Sequence, residues 1–261
     1  MNIVAWLVVR DDAYYVGMAI KSIVSYVDAL YVQDQNSKDK TLDVILENVG
    51  KTPIWVDRVD TGLPRFDKNY NEPLYRSLAI ARCEAQFKPE FLLQLDADEI
   101  YTSHFFERLK HLPEGVNGVR HATERFITPI ARSQSPHALQ NVDGKLYYDP
   151  HTRFWRAGRG VRYIKNPTVE GYLHCILNSE PNPIFWIPGL CHIHLHRSFG
   201  PKAFDWWKQG GDIFEETKPF NPKRQAPKWF NSELNMGTAL TTEFDWPDYV
   251  LNKWKDWGNY E

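Results

Sequence analysis

Two short stretches hold the residue types that do chemistry. Asp96-Ala97-Asp98 follows the apolar run Phe91-Leu92-Leu93-Gln94-Leu95 directly, so two carboxylates stand at the end of a buried strand. Like charges this close repel unless something cationic joins them. A hard divalent ion does so, because Mg2+ or Mn2+ favours carboxylate oxygens and keeps positions open for phosphate. The plainer use of the same residues is a helix cap, with Asp98 or Thr102 closing the start of the segment that follows. The second stretch, His192-Ile193-His194-Leu195-His196, alternates imidazoles with aliphatic residues. A strand's two-residue period puts all three imidazoles on one face and the aliphatic residues on the other. Cys191 falls opposite the histidines, which argues against a mixed Cys/His zinc site.

These residues need elements to position them, and the first hundred residues alternate strand and helix. Ile3 to Val9 is a continuous apolar run of strand length, as expected where both faces of a sheet are covered. Asp11 or Asp12 then caps a helix whose apolar positions Val16, Ile20, Ile23, Val24 and Val27 keep the 3.6 period. Ala29 to Gln33 reads as a second strand. The polar turn Asp34 to Asp39 leads into a helix carrying Leu42, Ile45, Leu46 and Val49. Pro53 to Val56, Leu74 to Phe87 and Phe91 to Leu95 continue as strand, helix and strand. A repeated βα pattern implies a mostly parallel sheet flanked by helices, and ligands bind beyond the carboxyl ends of such strands. From about Gly115 to Arg197 the pattern becomes strand-like. From Pro201 onward it changes again, with Trp246, Val250, Trp254 and Trp257 on one side of a terminal helix. The expected division is 1–110, 111–200 and a helical, Trp-rich 201–261.

Composition narrows the function. A chain of 261 residues is served by one hydrophobic core with embellishments. Its net charge of −2 lacks the basic footprint of a nucleic-acid binder, so small molecules or neutral polymers are the expected partners. No apolar run approaches the roughly 20 residues of a membrane span, and Ile3 to Val9 has neither the basic start nor the cleavage site of a secretory signal. Three widely spaced cysteines make no disulfide framework, and a reducing, cytoplasmic setting is expected.

Three segments together carry a resemblance. Val8-Val9-Arg10-Asp11-Asp12, Val32-Gln33-Asp34-Gln35-Asn36-Ser37-Lys38-Asp39-Lys40-Thr41 and Leu93-Gln94-Leu95-Asp96-Ala97-Asp98-Glu99 resemble, in order and spacing, the family 2 type of GT-A glycosyltransferases. The resemblance covers roughly residues 1 to 110. It implies a GT-A-like sheet, with Asp34 contacting the base and Arg10 to Asp12 lining the nucleoside pocket. It further implies that Asp96 and Asp98 hold a sugar nucleotide through Mn2+ or Mg2+, and that Arg76 meets a phosphate. The histidine strand resembles the place where many such enzymes draw a third metal ligand, with His194 favoured and His192 next. Asn36 and Lys40 replace two glycines of the family pattern; Asn tolerates a left-handed turn and Lys does so poorly. His151-Thr152-Arg153-Phe154-Trp155-Arg156 resembles the family's Arg-Leu-Phe-Arg strand, and Val169-Glu170 stands where relatives carry His-Glu.

Sugar transfer from a nucleoside diphosphate needs a Lewis acid on the leaving diphosphate, and an inverting reaction needs a base near the acceptor hydroxyl. Glu170 is the candidate base, with Asp143, Glu124 and Glu99 as alternatives. The expected function is a metal-dependent, inverting transfer from a nucleoside-diphosphate sugar to a glycan or other hydroxyl acceptor. A metal-dependent hydrolase and a non-catalytic carbohydrate-binding protein are the competing readings. A Gly-rich dinucleotide turn and a Walker loop are both missing.

Overall fold

In the computed structural model the described residues are 1–63, 67, 69–128, 131–133, 139–142, 145–148, 151–165 and 175–194. Strand β1 (Ile3–Val9), helix α1 (Val16–Ile23), β2 (Ala29–Asp34), α2 (Thr41–Asn48), β3 (Ile54–Arg58), α3 (Glu72–Phe87) and β4 (Phe91–Gln94) follow in strict alternation. Then come β5 (Glu99–Tyr101), α4 (Ser103–Leu109), β6 (Gly118–Thr128), β7 (Ala131–Ser133), β8 (Leu139–Val142) and β9 (Lys145–Tyr148). The remaining described strands are β10 (His151–Arg156), β11 (Tyr163–Lys165), β12 (Cys175–Leu177) and β13 (Ile184–His194). The main sheet has the order β3-β2-β1-β4-β10-β6-β13-β5, with β7 paired to β6. Strands β3, β2, β1 and β4 are mutually parallel, and β10 runs antiparallel to both β4 and β6.

The chain divides into two compact units. The first takes Met1–His121 and His151–Cys191, with the whole βα repeat and the β11–β12 hairpin. The second takes the described residues of Ala122–Pro150 and those from His192, including the β8–β9 hairpin.

In the first unit, β1 is buried on both faces, which explains its unbroken apolar sequence. Ala5, Leu7 and Val9 pack with Val16, Ile20 and Ile23 of α1, Ile45 of α2 and Phe105 of α4. Val4 and Trp6 point the other way, to Tyr31, Ala79, Ile80, Cys83 and Trp155. Two such layers remove most of the apolar surface of the βα half from water, the main source of its stability.

Several boundaries moved from the expected ones, each for a local reason. Helix α3 starts at Glu72 rather than Leu74, because the Asn71 side chain accepts from the Leu74 amide at 3.1 Å and Pro73 fits the first turn. It ends where Lys88 turns left-handed. Leu46 of α2 is 57% exposed, off the core face. Strand β3 begins after Pro53, which has no N–H to give a ladder. The Trp-rich stretch 201–261 lies outside the described residues. Among the described residues no helix is long and apolar enough to cross a membrane.

Candidate active site

Parallel strands β1, β2 and β4 bring their carboxyl ends to one edge of the sheet, and the three singled-out loops leave from that edge. The first two loops are laced together by carboxylates. The Asp11 backbone is left-handed at φ 51°, and its Oδ1 accepts the Lys38 amide at 2.7 Å. The Ala13 amide donates to Asp39 Oδ2 at 3.1 Å, and the Asp12 amide to Thr41 Oγ1 at 2.7 Å. Asp12 Oδ2 accepts the amide of Arg10 at 2.9 Å. Asp11 and Asp12 therefore do not cap α1 with their side chains. Tyr15 stands at that N-terminus without a side-chain cap, and the Asp12 carbonyl accepts from the Tyr15 and Val16 amides. The Asp11 carboxylate bonds backbone across the loops instead, and that of Asp12 bonds backbone within its own loop.

Asn36 does adopt the left-handed turn, at φ 61°, whereas Lys40 has φ −83° and needs no glycine. Asp34 is wholly buried. Its Oδ1 accepts the Ser37 amide at 3.1 Å and its Oδ2 pairs with Arg58 Nε at 3.2 Å, so its carboxylate holds the loop and an arginine. Arg10 reaches outward to the segment after β3, with Nη1 donating to the Leu63 carbonyl at 2.5 Å and the Thr61 hydroxyl at 3.3 Å.

The third loop, between β4 and β5, is built differently. Asp96 and Glu99 close a tight turn: the Glu99 amide donates to the Asp96 carbonyl at 3.0 Å and the Asp96 amide to Glu99 Oε2 at 3.1 Å. Around it runs a chain of alternating charge. Glu72 Oε1 accepts from Arg76 Nε at 2.7 Å, and Arg76 Nη1 reaches Asp96 Oδ1 at 2.8 Å. Arg153 Nη2 lies 3.2 Å from Asp96 Oδ2 and 2.6 Å from Glu99 Oε1. Burial works to raise the Asp96 carboxyl, yet Arg76 and then Arg153 hold it below the ordinary carboxylate range despite Glu99. Arg153 in turn is held firmly protonated: burial opposes its charge, and Glu99 and Asp96 more than offset that. The Arg76 guanidinium also lies over the Tyr163 ring, 5.6 Å from its centroid.

Asp98 is half-buried in the same turn. It lies close enough to Tyr15 that its charge, after burial, pushes the tyrosine hydroxyl up. Thr102, rather than Asp98, stands at the N-cap of α4, without a side-chain cap bond. The helix starts at Ser103, and the Thr102 hydroxyl goes instead to the Cys191 carbonyl at 3.3 Å. His192 and His194 share a strand face as expected, their rings 6.4 Å apart and inclined by 29°, while Cys191 packs in the core of the first unit and Ile193 is fully buried. His192 is nevertheless fully buried. Among the described residues no group of three or more His, Cys, Asp or Glu side chains is placed to hold a metal ion. Asp96 and Asp98 belong to the first unit and His194 to the second, and at Asp96 guanidinium groups engage both oxygens, Arg76 at Oδ1 and Arg153 at Oδ2.

Glu170, Asp143 and His196 lie outside the described residues, and Glu124 falls in β6. Glu99 is fully buried against Arg153, a poor position for a base that must meet an acceptor. What the sequence did not reveal is Arg153 as the partner of Asp96. The only signal was its place in the His151–Arg156 segment, because the ion pair spans more than fifty positions.

Neither a family model nor a curated protein matches the chain. Among solved structures, S. aureus TarS aligns with a TM-score of 0.50 at 13% identity, covering 75% of this chain and 37% of TarS. TarS 1–349 in complex with UDP-GlcNAc aligns at 0.48 and 13%, covering 78% of this chain and 61% of that one. Glucosyl-3-phosphoglycerate synthase from Mycobacterium tuberculosis, in complex with Mn2+, UDP and phosphoglyceric acid, aligns at 0.36 and 21%, over 47% and 43% of the two chains. The chain therefore spans less than two thirds of each. The first of these alignments and the strand order assign the architecture: it is the GT-A fold, a mostly parallel α/β sheet with helices on its faces.

Proposed function

We propose that the chain transfers a sugar from a nucleoside-diphosphate donor to an acceptor hydroxyl. The observation that carries this reading is the acidic turn Asp96–Glu99, fixed by two arginines at the ligand edge of a GT-A sheet and accompanied there by the laced loops after β1 and β2. In this reading the laced loops receive the nucleoside. Asp34 acts on it through the loop and the arginine that it holds, and Arg10 fixes the segment 61–63 that borders the pocket. Asp98 and Arg76 face the diphosphate. Glu170 accepts the proton of the acceptor hydroxyl in an inverting step.

A divalent ion accompanying the donor belongs to the finer part of the proposal. Charge supports it: the network around Asp96 sets three carboxylates against two guanidinium groups, so an anionic diphosphate arriving alone meets net negative charge.

The test is thermal stabilisation by a panel of nucleoside diphosphates, each with Mn2+ and with chelator. At least one should raise Tm by several degrees with the metal, since a ligand at about 100 times its Kd adds about 2.7 kcal/mol, and Asp98→Asn should lose that increment. No shift from any nucleotide under either condition rejects the reading.

A further inference from the structure

Arg153 has three features that an ordinary sheet arginine lacks. Strand β10 pairs with β6 through Thr152 opposite Arg120 and Phe154 opposite Val119, so the register slips by one residue between them. Arg153 is the extra residue of that β-bulge, and bulges re-aim a side chain. On its other edge β10 keeps regular pairing to β4, Phe154 opposite Leu93, which places Arg153 beside the point where β4 gives way to the acidic turn. Its neighbours are immobile: Phe154 and Trp155 are fully buried, in opposite faces of the core. The guanidinium is thus held from below by packing, and one nitrogen serves both ends of the turn, Asp96 at 3.2 Å and Glu99 at 2.6 Å. The side chain is 11% exposed.

We propose that Arg153 is a positioning residue: it clamps the Asp96–Glu99 turn shut before any ligand arrives, and so fixes Asp98 where the donor diphosphate binds. The assignment rests on the nucleotide-sugar reading for its ligand but not for its clamp. Arg76 restrains Asp96 alone, from helix α3, whereas Arg153 bridges the carboxylates of the turn's first and last residues. Without it the turn keeps its two backbone-linked bonds and the Arg76 pair, and loses the cation between the fully buried Glu99 and the partly buried Asp96, which then repel. Lysine supplies charge from a single point on a flexible stem and replaces the guanidinium only in part.

The experiment compares wild type with Arg153→Gln and Arg153→Lys. Hydrogen exchange reads the clamp directly: in Arg153→Gln the amides of 96–101 should exchange at least about tenfold faster, while those of β1 and β2 keep their rates. Calorimetry with UDP in Mn2+ buffer and with uridine reads the consequence. UDP affinity should fall about 10- to 100-fold, the usual effect of losing a supporting group, with uridine affinity unchanged and Arg153→Lys intermediate. A general loss of structure would move both ligands together. If Arg153→Gln does not fold, the double variant Arg153→Gln/Glu99→Gln, which removes one charge of each sign, is read in the same way, and Arg153→Lys after it. Wild-type exchange at 96–101 in a folded variant overturns the clamp, and so does UDP affinity within about twofold of a wild type that binds it. If wild type binds no nucleoside diphosphate, the functional reading fails by itself and exchange alone decides the clamp.

Discussion

The loops after β1 and β2 and the turn after β4 lie at the same sheet edge and are all rich in aspartate, yet their carboxylates are satisfied in opposite ways. In the first pair, Asp11, Asp12, Asp34 and Asp39 bond mostly to backbone amides within forty residues of each other. In the turn, Asp96 and Glu99 depend on arginines brought from α3 and β10. The first arrangement makes charge serve the path of the chain. The second makes the chain serve a set of charges, which is what a site for a charged ligand requires. Amide-bonded carboxylates can be lost one at a time with modest effect, whereas a buried ion chain broken at one link leaves a bare charge.

The largest effect expected from that contrast is at Arg76. Arg76→Met keeps the apolar stem but takes from Glu72 and Asp96 the cation they share, and urea denaturation should show a loss of about 3–5 kcal/mol. A loss below about 1 kcal/mol would mean that the turn is as tolerant as the loops. Next comes Asp34→Ala. It orphans the Ser37 amide, while the exposed Arg58 returns to water, so about 1–2 kcal/mol is expected by the same measurement. A cost equal to that of Arg76→Met would erase the distinction. The smallest effect is at Asp11. Glycine relieves the left-handed backbone there and loses the bond to Lys38, two effects of about 1 kcal/mol and opposite sign. Asp11→Gly should stay within about 1 kcal/mol of wild type, and a larger loss would show that the lacing itself is an energetic anchor.

The same contrast explains what could be read in the sequence. Strands β1, β2 and β4 and their helices were legible because unbroken apolar runs and a 3.6-residue period are local records of burial on two faces. The aspartates of the first loops were legible as turn formers, but not as carriers of bonds between loops. Helix propensity suggests a cap wherever Asp precedes an apolar period, and only the folded pair of loops shows Asp39 and Asp11 reaching across. Asp96 and Asp98 were found as a pair; the expectation of a metal came from the repulsion between them, and the folded chain relieves that repulsion at Asp96 with guanidinium groups. Strand β13 hid its length behind Pro188 and Gly189, and its fully buried His192 could not be told from a surface imidazole. A bulge, finally, leaves no mark in a sequence, so Arg153 stood out only as a member of the His151–Arg156 segment and its resemblance.

The alternating chain Glu72, Arg76, Asp96, Arg153, Glu99 also constrains how this protein can change. Each interior member answers to two neighbours of opposite sign, so the effect of substituting one depends on what stands beside it, with couplings of about 0.5–3 kcal/mol expected between touching members. Single steps through the chain cross a valley of stranded charge, while paired steps that remove one acid and one base together go around it. The turn is therefore a place where viable variants come in twos: its members drift jointly or not at all, and a library built from single substitutions would record the region as immutable when it is only coupled.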